Sequence, residues 1–167
     1  MLNITSPVGR LSQSDASLQE TIRTIVFPID NYLFALPIEA VFKIIPCPPI
    51  DSPIENCIGL VEWEGQTITI VDLHQKITTA KQEFTERTIL ETKFLILTKT
   101  NNGELCGFAT NQSPTLIDIS LSDIHSVPLS YREVADLGFI SHMALISNSE
   151  TQKNFKVFLL GIDFKNN

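Results

Sequence analysis

The amino-acid sequence predicts an all-β protein with short helices, and three observations support this fold class. Thr and Ile alternate after Gly65 with the period of two that is typical of a half-buried strand. Turn signals rich in Asn, Asp and Gly separate several such apolar segments. Only brief stretches have a helical period. Short strands at regular spacing favour a β-barrel or a pair of barrels.

Length and composition narrow the class of protein. A chain of 167 residues fits one domain or two small, closely packed ones, and 43% hydrophobic residues can form a core. No apolar run approaches the roughly 20 residues that span a bilayer. The N-terminus lacks the apolar stretch of an export signal, so we expect a cytoplasmic protein without direct membrane insertion. The net charge of −7 argues against nucleic acid and favours a protein partner.

The residues that most often carry chemistry form no recognisable site. Cys47, Cys57 and Cys106 lack CxxC or Cys/His spacing, which predicts reduced thiols rather than a zinc site or a disulfide. The three histidines lie in unrelated segments, no nucleophile elbow surrounds a serine, and the glycines do not form a phosphate loop. The sequence therefore predicts no enzymatic activity, no metal and no cofactor.

The first elements follow a tail. Residues 1–23 are mostly a segment rich in Ser, Gln and Asn, which predicts a mobile tail before a domain over residues 24–164. A strand begins at Ile25, turns at Asp30 and Asn31, and returns over residues 32–36. Pro28 lacks a backbone donor and predicts an edge position or a bulge. Residues 38–45 have helical apolar spacing, but their β-branched residues also favour a short helix leading into a strand over 42–46.

A central hairpin is predicted over residues 59–73, with its turn at Glu64 and Gly65. Trp63 alternates with Val61, which favours burial, although an exposed Trp would be a possible interface anchor. Asp72 ends the second strand, where its carboxylate is placed to cap a helical turn over residues 73–77.

The remaining chain continues the all-β pattern. Residues 78–91 predict a surface loop or weak helix, and strands over 94–98 and 105–110 form a hairpin through Asn101, Asn102 and Gly103. A strand is predicted over 114–119, then an irregular segment over 121–138 with a helical turn at 131–136. Two closing strands are predicted over 139–147 and 155–164.

Taken in order, these segments resemble a known family. FPIDNYLFALPIEAVFKIIP, GLVEWEGQTITIVDL, the 94–110 hairpin and VFLLGID are similar to the CheW family, the adaptor domains of bacterial chemotaxis arrays. The same domain regulates the CheA kinase. The family motif GVxNLRGxxxPVVDLR is matched at Gly59, Gly65, Val71, Asp72 and Leu73. An earlier motif, YxIPIxxVxEI, is matched at Tyr32, Ala35, Pro37, Ile38, Val41 and Ile44.

The resemblance implies two interleaved five-stranded β-barrels around a shared core, without enzymatic activity or cofactor. It implies two partners, the regulatory domain of a CheA-type histidine kinase and the tip of a methyl-accepting chemoreceptor. The implied receptor groove contains Val41, Lys43, Gly59 and Glu64. The alternative is a divergent regulator that binds the kinase or another protein without engaging receptors. A small-molecule-binding or enzymatic barrel would instead need a deep pocket with convergent polar groups.

Two charges are inverted relative to the family. Glu64 stands at the Arg of NLRG and Lys43 at the Glu of VxEI. If these positions face each other, the double inversion conserves the attraction, and we predict a Lys43–Glu64 salt bridge. The alternative is two separate solvated charges, because exposed ion pairs contribute only about 0–1 kcal/mol. Trp63 stands where the family has Leu.

Overall fold

The computed structural model describes residues 18–50, 58–74, 92–100, 102–130 and 140–160. Its strands are β1 Thr21–Ile29, β2 Tyr32–Pro37, β3 Val41–Pro46, β4 Ile58–Trp63, β5 Gln66–Val71, β6 Phe94–Lys99, β7 Leu105–Thr110, β8 Thr115–Ser120, β9 Ile124–Ser126, β10 Ile140–Asn148 and β11 Lys153–Leu160. Short 3-10 helices cover Ile38–Ala40 and Leu121–Asp123. Within these ranges, no helix has the length and apolar character needed to cross a membrane.

The strands form two sheets, one inserted into the other. The six-stranded sheet has the order β8-β1-β2-β11-β10-β9, and the five-stranded sheet has the order β3-β6-β7-β5-β4. The first two and the last four strands therefore enclose, in sequence, the five that build the second sheet. The all-β prediction is confirmed, with sheets of six and five strands where the resemblance implied five and five.

The core between the sheets explains why the second half of β1, residues 25–29, is apolar. Ile25, Phe27 and Ile29 lie in a cluster that includes Ile96 of β6 and Leu73, which follows β5. Val26, on the opposite face of β1, packs in a separate cluster within the six-stranded sheet. Because both faces of the strand are covered over residues 25–29, this part of β1 is a continuous hydrophobic run rather than an alternating one.

Two further contacts join the sheets. The rings of Phe27 in β1 and Phe108 in β7 are stacked, with centroids 6.4 Å apart. The hydroxyl of Thr110 donates a hydrogen bond of 2.9 Å to the carbonyl oxygen of Pro28. Thr110 is buried, so this bond satisfies a polar group that would otherwise be costly at the junction.

The hairpin turns follow the local sequence. Glu64 and Gly65 both have positive φ, 49° and 75°, as a two-residue type I′ turn requires. Gly103 has φ 81° and donates a backbone hydrogen bond of 2.9 Å to Thr100. The predicted hairpins over β1–β2, β4–β5 and β6–β7 and the predicted strand at β8 are confirmed.

Three expectations differ from the structure. The helical interpretation of residues 38–45 is wrong, because only Ile38–Ala40 is helical and β3 pairs with β6; the alternative of a short helix leading into a strand is confirmed. β1 begins at Thr21, before the predicted start, and is an interior strand rather than an edge strand. Its pairing with β8 ends at Val26, so Pro28 has a ladder partner only in β2. Strand β9 was not predicted.

Some predictions fall on residues that the structure does not describe. Of the helical turn predicted over residues 73–77, the structure describes only Leu73 and His74, which are helical. Residues 75–77, the helical turn over 131–136, the loop or weak helix over 78–91 and residues 1–17 of the predicted tail lie outside the described ranges. So do residues 161–164 of the last predicted strand, of which β11 covers the earlier part.

Candidate functional site

The candidate site lies where the two edge strands of the five-stranded sheet meet. β3 and β4 stand at opposite ends of the strand order and share no ladder. Even so, the Lys43 ammonium of β3 lies 5.0 Å from the ring centroid of Trp63 in β4. The sheet therefore curls until its edges approach each other. We call this junction, defined by Lys43 and Trp63, the β3–β4 seam.

Trp63 has an intermediate position between the two sequence-based alternatives. It is half-buried and packs against the cluster that contains Ile45, Val61 and Ile68. Alternation along β4 places Trp63 on the same inward face as Val61. Its ring is thus held by the core of the five-stranded sheet while it also contacts the Lys43 cation. An exposed cation–π contact of this kind contributes about 0.5–1 kcal/mol.

The predicted Lys43–Glu64 salt bridge does not form. Among the residues that the structure describes, neither side chain takes part in an ion pair. Glu64 is the first residue of the two-residue β4–β5 turn, which requires its positive φ, and its side chain is exposed. Lys43 contacts the neighbouring Trp63 instead. The two inverted charges are therefore separate features of the same surface.

The four receptor-groove candidates have different environments. Val41 is half-buried and packs against the core shared by the sheets. Gly59 is buried and pairs with Ile70 of β5. Lys43 and Glu64 are exposed. Only the two charged candidates thus have exposed side chains, whereas Val41 is half-buried and Gly59 is buried within β4.

Sequence analysis missed an apolar surface beside the seam. Large hydrophobic side chains on β3 and β4 are exposed by 36–51%: Phe42, Ile44, Ile58 and Leu60. We call these four the seam patch. The Lys99 ammonium lies 4.4 Å from the Phe42 ring centroid and covers part of it. A signal was present, because VFKII and IGLV place apolar residues on both faces of edge strands, and only one face can enter the core.

A small polar cavity lies at the junction of the two sheets. Nε2 of His74, after β5, is 2.7 Å from Oδ2 of Asp30 in the β1–β2 turn. Asp72 is buried, and its Oδ1 accepts a hydrogen bond of 2.9 Å from the His74 backbone N–H, the geometry of an N-terminal helix cap. The cavity that these residues and Thr110 line has a volume of about 80 Å³. Typical ligand pockets have about 300–1,000 Å³, so this cavity suits ordered water rather than a substrate.

The two described thiols, Cys47 and Cys106, and the second ion pair do not add a reactive centre. Burial raises the pKa of the Cys47 thiol to about 11, and burial also raises the pKa of Cys106, so both favour the unreactive protonated form. Arg23 and Asp118 form a two-bond ion pair on the exposed face of β1 and β8, at 2.9 and 3.2 Å. No group of three or more His, Cys, Asp or Glu side chains within the described ranges could hold a metal ion.

The comparison with protein families gives a match over most of the chain. A family model described as the CheW-like domain matches residues 23–151, well over half of the chain. The chain belongs to the CheW-like family. No curated protein matches the sequence. Among solved structures, the scaffolding protein TtCheW from Thermoanaerobacter tengcongensis is similar to this CheW-like chain, with a TM-score of 0.62 and 17% sequence identity over 87% of each chain. This likeness supports the fold.

Proposed function

We propose that this CheW-like protein is a non-enzymatic cytoplasmic scaffold, with its domain over residues 24–164, that couples a chemoreceptor-type sensor to a CheA-type histidine kinase. Membership of the CheW-like family supports this role, and the observation that carries it is the seam patch. Exposed large apolar side chains on edge strands are costly in water and can mark a surface for another protein. The protein acts by binding alone.

The seam patch is the proposed surface for the regulatory domain of the kinase. Ile58 and Leu60 share the outward face of β4, and Phe42 and Ile44 lie on β3. Each is exposed by 36–51%, so each retains surface that a partner can bury. An interface of about 800 Å² per partner with a few apolar anchors is sufficient for specific binding.

The charged side of the same region is the proposed contact for the receptor tip. Lys43 and Glu64 are exposed and are not paired with each other. The Lys43 ammonium lies over the Trp63 ring, and Glu64 follows Trp63 in the sequence. A receptor helix would contact the Lys43 ammonium, which lies over the Trp63 ring, and the exposed carboxylate of Glu64 in the β4–β5 turn. Because both charges are inverted relative to the family pattern, the matching receptor charges are inverted as well.

The second candidate is a regulator that binds the kinase but no receptor. The inverted charges at Lys43 and Glu64 favour it, because they oppose binding to a receptor tip that is complementary to the usual family charges. Under this alternative the seam patch keeps its role, while the charged residues have no partner in the array.

Isothermal titration of the full chain against each partner separately tests both proposals. The ligands are the regulatory domain of a CheA-type kinase and a receptor tip fragment from the same cell. A scaffold binds both, and a kinase-only regulator binds the first alone. Ile58→Asp should weaken kinase binding at least about tenfold, because it puts a charge into an apolar contact.

Matched variants separate the two surfaces. Leu129→Asp changes an exposed Leu outside the seam patch and should leave both affinities unchanged. The double variant Lys43→Glu with Glu64→Arg should change receptor binding and leave kinase binding within about twofold. Failure of the chain to bind either ligand, or equal losses from the Ile58 and Leu129 variants, would contradict the scaffold proposal.

A further inference from the structure

A second surface lies in the six-stranded sheet, away from the seam patch. A groove of about 550 Å³ is lined by the half-buried side chains of Leu33, Ile117 and Ile146, with exposed Phe155 at its edge. The same groove reaches the turn after β10. We call it the β8–β10 groove, because Ile117 belongs to β8 and Ile146 to β10.

Both strands that border this groove have an open edge. β8 is hydrogen-bonded to β1 alone within the described strands, so its opposite edge is unpaired there. β10 pairs with β11 along its length, but β9 covers its other edge only between His142 and Ala144. Residues 145–148 extend beyond β9, which leaves about 13 Å of strand edge at roughly 3.3 Å per residue.

The groove thus combines an apolar floor with two strand edges whose backbone donors and acceptors have no ladder partner in the described part of the chain. Unpaired strand edges accept an added strand, and alternate side chains of that strand enter pockets below. A globular ligand or a helix would cover the apolar floor but could not satisfy both rows of backbone groups. An extended peptide satisfies both.

The charge of the rim indicates the chemistry of that peptide. Among the described residues that line the groove, Glu150 alone carries a charge. It takes part in no ion pair in the described part of the chain, whereas Asp118 on β8 is neutralised by Arg23. The groove therefore presents the Glu150 carboxylate at the β10–β11 turn, which favours a basic residue in the occupant.

We propose that the β8–β10 groove binds an extended segment of a partner protein by strand addition, with apolar residues at alternate positions and a Lys or Arg facing Glu150. This interaction is independent of the proposed kinase and receptor surfaces. It gives the scaffold a further attachment point, on the other sheet.

The test uses the full chain and a synthetic acetylated peptide of about six residues, with Val alternating with Thr and a Lys at one end. Binding is measured by titration, and amide hydrogen exchange is followed by NMR. The peptide should slow exchange at alternate amides within residues 115–118 and 145–148, since only alternate N–H groups face an open edge. A peptide with the same side chains but N-methylated at alternate positions should bind at least about tenfold more weakly.

Charge variants supply the matched control. Glu150→Lys should weaken binding about tenfold, whereas Glu104→Lys, an exposed Glu in the β6–β7 turn of the other sheet, should not change it. Equal binding of the N-methylated peptide would overturn the proposal in favour of a simple apolar pocket. Protection of the same amides in a self-associated protein without peptide would overturn it in favour of a second copy of the chain. Absence of peptide binding would also overturn it.

Discussion

Replacing Lys43 by Met tests whether the cation–π contact closes the β3–β4 seam. Met retains much of the length of the apolar stem and removes the charge, so the change isolates the ammonium's contact with Trp63. Trp63→Leu removes the aromatic ring from the other side. The two single variants and the double variant form a cycle that separates the pairwise free energy from the packing that each side chain loses alone.

The expected coupling free energy is about 0.5–1 kcal/mol. The ammonium lies 5.0 Å from the ring centroid, within the roughly 6 Å at which such contacts act, and Lys43 is exposed, which places the contact at the weaker end of the range. Urea unfolding measures the cycle. Because β3 and β4 share no ladder, Lys43→Met should also speed amide exchange along both strands.

The Lys99–Phe42 contact is a matched control on the same strand. Its ammonium-to-centroid distance is 4.4 Å, but it joins β3 to β6, which are already hydrogen-bonded to each other. Lys99→Met should therefore lower the free energy of unfolding by a similar amount but should not speed amide hydrogen exchange in β4. A coupling below about 0.3 kcal/mol for Lys43 and Trp63, with unchanged exchange in β4, would refute the closing role of the contact.

Three further predictions concern the turn, a thiol and the exposed ion pair. Gly65→Ala should lower the free energy of unfolding, measured in urea, by about 1–2 kcal/mol, because φ at this position is 75°. Nothing lies within 4 Å of the added Cβ, so the loss reports the backbone conformation alone. An unchanged stability would show that the turn tolerates other geometry. In a Cys57→Ser background, alkylation of the Cys47 peptide by iodoacetamide at pH 8, followed by mass spectrometry apart from that of Cys106, should be roughly a hundredfold slower than that of a small-molecule thiol, since burial raises the pKa of Cys47 to about 11. A rate equal to that of the free thiol would mean that Cys47 is solvated. The Arg23 hydrogen bond lowers the pKa of Asp118, so the pair stabilises the fold above the usual carboxyl pKa range and loses that effect as the pH falls through the lowered pKa. Arg23→Gln should raise the Asp118 pKa, measured by carbon-13 NMR titration, and an unchanged pKa would contradict this cause.

Local chemistry made several parts of the fold predictable. A turn at Glu64 and Gly65 needs only two residues that adopt positive φ between apolar strands, and the structure has that turn. The hairpin through Gly103 follows from the same reasoning. These elements form between neighbours in sequence, so their geometry depends little on the rest of the chain.

Elements with distant partners were harder to predict. Residues 38–45 fit a helical period, but pairing of β3 with β6, about fifty residues away in sequence, decided for a strand. The three residues of β9 have no strand pattern of their own and are ordered by pairing with β10. Such short segments take their conformation from a neighbour that sequence periodicity does not reveal.

The candidate site shows the same division. Family motifs located Lys43, Trp63 and Glu64, but the proposed partner of Lys43 was wrong, because the choice depends on how far the sheet curls. The exposure of Phe42 and Ile58 was also not predicted. Apolar residues on both faces of a strand indicate that one face stays outside the core, but which side chains are exposed depends on where β3 and β4 lie in the sheet.

By itself, the sequence determined the all-β class, the principal hairpins and the CheW-like family. Alternation and turn residues depend on neighbours in the sequence, and motif order depends only on position along the chain. The tertiary structure alone decided that Lys43 contacts Trp63, that the seam patch is exposed, and that β8 and part of β10 have an edge without a ladder partner among the described strands. Each of these depends on which strands lie side by side after the sheets curl and pack. That arrangement is set by the shared core of both sheets, not by any single segment.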